Sequence, residues 1–159
     1  MKHAVIIAAY RAAWCLPECL DAIAAQQRPP DVVMLGADAC GHTLQAALEQ
    51  RIRHDGSLNI RVYWLPRNVG PYRVKNTLAC LADADIVHFF DADDLMYPHH
   101  TADMAALVGP NVFAGACADT KTADGAKTRR WSRAHGVVSI RRDTFLLHGG
   151  FEPWRCGAD

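Results

Sequence analysis

Ile86-Val87-His88-Phe89-Phe90-Asp91-Ala92-Asp93-Asp94 is the stretch on which the reading of this chain turns. Its first half, Ile86 to Phe90, is an apolar run with the length and composition of a buried strand. Three carboxylates follow almost at once. Carboxylates this close raise one another's pKa unless a cation sits among them. In an extended segment residues i and i+2 share a face, so Asp91 and Asp93 turn toward one ion while Asp94 turns away. A short pair of oxygen ligands suits Mg²⁺ or Mn²⁺, which keep waters and take phosphate oxygens as remaining ligands. The bland alternative is a solvated acidic turn in which Asp94 caps the helix after Tyr97-Pro98. For an isolated D-x-D that alternative wins; the strand before this one, and the chain around it, reverse the preference.

Outward from that strand, short apolar runs alternate with helical periodicity through residue 110. Ala4 to Ala9, Val32 to Leu35 and Ile60 to Leu65 read as three further strands. Leu16, Cys19, Leu20 and Ile23 make one helical stripe, and Leu44, Ala47, Leu48 and Ile52 a second. Gly70-Pro71 opens a third helix with proline in its first turn, where a missing N–H costs nothing. Its expected stripe is Val74, Thr77, Leu78 and Leu81. This alternation predicts an α/β fold, a Rossmann-like and mostly parallel sheet flanked by helices. Such sheets bind ligands beyond the carboxyl ends of their strands. Tyr10-Arg11, Gly36-Ala37-Asp38, Pro66-Arg67-Asn68 and Asp91-Ala92-Asp93 all gather at that rim. After Pro98 the pattern weakens into a helix (Thr101 to Val108), a strand-like run (Val112 to Cys117), a polar hairpin or loop (Lys121 to Arg130), a short strand (Val137 to Ile140) and a helical turn (Thr144 to Leu147).

The chain has 159 residues, half of them hydrophobic, which predicts one domain over residues 1–159 with a core that needs no staples. Lysine plus arginine balance aspartate plus glutamate at 17 each, so no net field draws the chain to nucleic acid or to a membrane. The six cysteines show no C-x-x-C pair and no zinc-ligand spacing. The apolar run after Met1-Lys2-His3 is too short for a signal-peptide core, and nothing approaches a membrane span. A cytoplasmic protein with reduced, inert thiols is the expectation.

With these residues in hand, the chain resembles the inverting family-two glycosyltransferases of the GT-A fold. Ala4-Val5-Ile6-Ile7-Ala8-Ala9-Tyr10 is similar to that family's first strand and nucleotide-contacting loop. Val33 to Cys40 is similar to its second strand, whose terminal aspartate contacts the donor base. Asn68-Val69-Gly70-Pro71-Tyr72-Arg73-Val74-Lys75-Asn76 is similar to its N-x-G…N segment, and Phe89 to Asp94 to its D-x-D element. Gly149-Gly150-Phe151 and Trp154 to Asp159 resemble its G-G-F block and acidic catalytic motif. Ala37 and Ala158 stand where second acids are common, and the family continues beyond the position of Asp159, so the chain reads as short at its C-terminus.

The resemblance implies a nucleoside-diphosphate sugar donor, a uridine one from Asp38, and an acceptor hydroxyl. Mn²⁺ or Mg²⁺ would be held by Asp93 and Asp91, and Ala8, Tyr10, Asp38, Asn68, Asn76, Asp91 and Ala92 would meet the sugar nucleotide. Asp159 matches the general base. Asn68 and Asn76 balance evenly between ligand contact and local hydrogen bonding. Arg67, Arg73 and Lys75 are diphosphate candidates, but a solvated helix face explains Arg73 and Lys75 equally well. His99 and His100 read as surface; His148 reads as a loop histidine rather than a third metal ligand, and Trp154 either covers the sheet, the preferred reading, or stacks on an acceptor sugar. Two rivals stand beside transfer: a silent nucleotide-sugar binding module, and a nucleotidyltransferase. Ala8-Ala9-Tyr10-Arg11-Ala12-Ala13 has no glycine for a phosphate loop, which counts against the second.

Overall fold

The computed structural model describes residues 1–54, 56–116, 118–121, 127–131 and 137–152. The four apolar runs of the first half become parallel strands: β1 (His3–Ala9), β2 (Val32–Asp38), β3 (Ile60–Leu65) and β4 (Ile86–Asp91). Helices α1 (Leu16–Ala24), α2 (Gly41–His54) and α3 (Pro71–Leu81) connect them. Beyond α4 (His100–Leu107) come β5 (Ala114–Gly115), a hairpin of β6 (Ala118–Lys121) and β7 (Lys127–Trp131), β8 (Val138–Arg141) and α5 (Arg142–Leu147). The main sheet has six strands in the order β3-β2-β1-β4-β8-β5, with β8 antiparallel to both its neighbours. The expected α/β architecture is therefore the observed one.

Strands β1 and β2 are apolar on both faces because both faces are covered, as central parallel strands require. Val5, Ile7, Ala9, Val33, Leu35 and Phe90 pack with Leu16, Leu20 and Ile23 of α1 and Leu44 and Leu48 of α2. The alternate residues Ala4, Ile6, Met34, Val87 and Phe89 pack with Val74, Leu78 and Ala79 of α3 and Phe145 of α5. Period two in the strands thus sorts the core into two layers.

Three details depart from the sequence reading. The buried stripe of α3 is Val74, Lys75, Leu78 and Ala79, with Leu81 exposed, so the helix is rotated from the expected face. Gly36 explains how closely it sits: a Cβ there would overlap Val74 Cγ1, so only glycine in β2 admits the helix at this depth. Among the described residues of the strand-like run Val112 to Cys117, only Ala114 and Gly115 join the sheet, and Cys117 lies outside the described residues. His100, expected at the surface, is half-buried at the start of α4, rings with Phe90 at 5.9 Å, and has its pKa lowered by burial.

Candidate active site

Strand β1 lies between β2 and β4; the chain leaves β1 toward β2 and leaves β4 in the opposite direction along the sheet, toward β8 and β5. That switch point opens a crevice at the carboxyl ends of the strands. A cleft of about 300 Å³ occupies it, bounded by Ala8 to Ala12, Asp38, Asn68, Asp91 and Asp93 among others. Ala8, Tyr10, Asp38, Asn68, Asp91, Ala92 and Asp93, seven of the residues singled out from sequence, line this one space.

The carboxylate stretch is not the extended segment expected: Asp91 ends β4, and a turn follows in which Asp94 N donates to Asp91 O at 3.2 Å. Asp91 and Asp93 still reach the same cleft, and Ala92 between them both lines it and packs on the apolar core. Asp94 is not among the cleft-lining residues, and it caps no helix, since α4 begins at His100 behind His99. Its pKa is pushed up to about 6, first by the protein crowding its carboxyl and then by the charges of Asp91 and Asp93.

Lys75 is the residue that sequence reasoning set aside. It is 1% exposed, and its Nζ donates to Asp91 Oδ1 at 2.6 Å. A lysine in the second turn of α3 reads as solvated until the fold carries that helix over β1 and β2. The available signal was Gly36, since glycine inside a buried strand marks a close backbone approach. The pair places a fixed positive charge against the end of β4, inside the cleft wall.

Asp38 is buried, and its carboxylate accepts hydrogen bonds from the backbone N–H groups of Val69 (2.8 Å) and Gly70 (2.9 Å). Those two bonds hold the loop from β3 to α3 against the end of β2. Each oxygen keeps a second acceptor direction. Gly70 takes φ of 90° here, a conformation glycine adopts without strain, and Pro71 follows as the first residue of α3.

Of the two readings open for Asn76, ligand contact and local hydrogen bonding, its side chain makes contacts of the second kind. Its Nδ2 donates to Phe151 O at 2.7 Å, and its Oδ1 accepts from Phe151 N at 2.9 Å. With the amide so engaged, Asn76 does not line the cleft. Gly149 and Gly150 take φ of 82° and 78°, and a Cβ on Gly150 would lie 2.8 Å from Asn76 Oδ1. The G-G-F block is thus a latch. It turns sharply, docks its backbone on α3, and packs the Phe151 ring against Phe89 (4.7 Å) and Phe145 (5.1 Å). Asp159, Trp154 and Cys156 lie outside the described residues.

The cysteines beside the site are quiet. Cys15, Cys19, Cys40 and Cys80 are free thiols. Burial pushes Cys19 up to about 12 and raises Cys15 and Cys40, while Cys40 Sγ donates to Ala9 O at 2.8 Å. Cys15, Cys19 and Cys40 are therefore not held as thiolates.

Among the described residues, no three His, Cys, Asp or Glu side chains gather into a ready-made metal set. The donors present, Asp91 and Asp93, are hard oxygens on one rim. That fits an ion of the Mg²⁺ type, which takes one or two carboxylates and completes its shell with phosphate and water. It does not fit zinc, which asks for nitrogen or sulfur donors in a closed set. Nor is any helix among the described residues long and apolar enough to cross a membrane.

Comparison with known proteins matches residues 4–156 to the family model described as glycosyl transferase family 2. No curated protein matches. Among solved structures, TarS of S. aureus (residues 1–349) superposes with a TM-score of 0.69 at 21% identity, over 96% of this chain and 51% of that one. The mannosyltransferase PcManGT of Pyrobaculum calidifontis, in complex with GDP-Man and Mn²⁺, gives 0.75 at 19% identity, over 96% and 48%. GalNAc-T7, with UDP, GalNAc and Mn²⁺, gives 0.71 at 14% identity, over 96% and 37%. The chain spans about half or less of the length of these structures.

Proposed function

The chain belongs to glycosyl transferase family 2, and from that premise we propose that it transfers a sugar from a nucleoside diphosphate to an acceptor hydroxyl, as one domain over residues 1–159. The observation that carries this reading is the joint placement of Asp38, Asp91 and Asp93 around one cleft at the switch point of the sheet. Solved structures similar in fold hold UDP, UDP-GlcNAc or GDP-Man, and two of them hold Mn²⁺. A uridine donor is our choice among these, because Asp38 offers an acceptor to a base N–H beside the Tyr10 loop.

Asp91 and Asp93 would hold Mn²⁺ or Mg²⁺. Bound there, the ion supplies charge neutralisation to the departing diphosphate. The protein's own residues do the rest. Val69 and Gly70 fix the Asp38 carboxylate through their amides, so the base acceptor is already oriented. Lys75 sets the position of Asp91 and adds a cation behind it. In the transfer, the bond between the anomeric carbon and the diphosphate oxygen breaks as the acceptor oxygen bonds from the opposite face. The acceptor proton passes to one base, and we assign that role to Asp159.

Calorimetric titration of the chain with UDP, with and without Mn²⁺, tests the reading. UDP affinity should fall when EDTA removes the metal, and fall in Asp93→Ala with metal present. Equal affinity in all three conditions would overturn it.

A further inference from the structure

Trp14 is 81% exposed, yet it lines the cleft. Leaving an indole in water forgoes one of the largest apolar burials a side chain offers. The turn that carries it is not loose. Ala12 O accepts from Cys15 N (3.2 Å) and Leu16 N (2.9 Å), and from Cys15 Sγ at 3.4 Å. Ala12 and Cys15, on either side of Trp14, are both buried. The backbone is therefore anchored twice within one turn, and the anchors leave Trp14 facing outward at the mouth of the cleft. A side chain held this way is preorganised to meet something that arrives.

Its place along the cleft narrows what arrives. Asp38, Asn68, Gly70 and Pro71 form the end proposed for the base. Trp14 lies just before α1, whose Cys19 Sγ donates to Asp91 O at 3.9 Å, and its neighbour Cys15 packs in the same core cluster as Ala92, so this part of the loop stands at the carboxylate end. Tyr10, also exposed, lies earlier on the same loop and carries the Arg11 guanidinium over its ring at 5.1 Å. Beyond the carboxylate end, the next group of a sugar nucleotide is the sugar. A pyranose presents a face of C–H bonds that an indole covers well, and its hydroxyls stay in water at the rim.

We propose that Trp14 is a positioning residue for the donor: its indole stacks on the sugar ring of the bound sugar nucleotide and sets which sugars are accepted. The inference rests on the reading of the cleft as a nucleoside-diphosphate-sugar site. The test is calorimetry with Mn²⁺ present, on the wild-type chain, Trp14→Ala and Trp14→Phe. UDP, UDP-glucose, UDP-galactose and UDP-N-acetylglucosamine are the probes. At least one sugar nucleotide should bind the wild type more tightly than UDP. Trp14→Ala should erase that advantage, a loss of roughly three- to tenfold, and Trp14→Phe should restore part of it. UDP itself should bind all three proteins alike, which a merely structural role for Trp14 would not give. An equal loss for UDP and the sugar nucleotides would move Trp14 to the nucleotide and overturn the proposal. So would UDP binding normally while no sugar nucleotide gains over it in the wild type. Absence of UDP binding to the wild type would instead sink the reading of the cleft, and the inference with it.

Discussion

The pair formed by Lys75 and Asp91 is asymmetric, and the asymmetry can be measured. The lysine side chain is 1% exposed and the aspartate 38%. Asp91→Ala takes a carboxylate away from an ammonium group that cannot reach water without moving α3. Removing one partner from a buried pair costs ~3–5 kcal/mol, because the other charge stays buried. Lys75→Met, by contrast, fills the same space with an apolar side chain and leaves a carboxylate that water already reaches. That side behaves as a surface pair, for which ~1 kcal/mol or less is expected. For a chain of this size 1 kcal/mol moves Tm by about 2–4 °C. Thermal melts followed by circular dichroism should therefore place Asp91→Ala roughly 6–20 °C below wild type, and Lys75→Met within about 4 °C. Combining the two changes should recover much of the aspartate's loss, since the buried charge goes as well. Equal losses, a larger loss in Lys75→Met, or no recovery in the double variant would refute this account of the pair.

Three further outcomes follow from named contacts. His88 lies in a buried chain from Ser139 Oγ (2.7 Å) to His3 Nδ1 (3.2 Å), and burial, then the charge of His3, lowers its pKa to about 3 from an ordinary 6.5. A depressed histidine is neutral in the fold, so its contribution is whole above pH 6.5 and is lost as pH falls toward 3. His88 alone should cost ~2 kcal/mol between pH 7 and pH 5 in urea denaturation, and His88→Gln should flatten that slope. Gly36→Ala should destabilise by ~1–3 kcal/mol, as its Cβ overlaps Val74 Cγ1, and Val74→Ala should rescue it in the same denaturation assay. If Asp159 is the base, Asp159→Asn should abolish transfer from a sugar nucleotide while leaving UDP affinity in calorimetry unchanged.

The strands were legible because apolar runs of four to six residues between turn signals have few other readings. Helix faces were legible where all their residues were apolar, as in α1, whose buried residues are Leu16, Cys19, Leu20 and Ile23. The face of α3 was not, because Lys75 entered the periodicity as a polar residue. Its burial depends on Asp91, and nothing local to α3 announces a carboxylate brought to it by a different strand. Asn76 was equally opaque. An asparagine two residues into a helical stripe reads the same whether it meets a ligand or a backbone, and only the turn at Gly149 and Gly150 decides for Phe151. The residues of the cleft were easier, since rim positions follow from strand ends, and strand ends follow from pattern.

What the fold adds to the motifs is distance. Asp38 closes β2 and Asp91 closes β4, with β1 between them. Two strand spacings separate them, about 10 Å across the sheet. Neither end is free to drift. The amides of Val69 and Gly70 hold the first, and Lys75 holds the second. Both tethers reach back to α3, whose depth on the sheet is set by the missing Cβ of Gly36. A ligand that satisfies both ends must carry a hydrogen-bond donor at one end and a polyanion about 10 Å away. A free phosphate or a small acid reaches only the carboxylate end, through an ion, and a nucleoside alone reaches only Asp38. A nucleoside diphosphate spans the two. The selectivity of the proposed site thus comes from the rigid separation of two weak recognitions by one intervening strand, and the single helix α3 fixes both.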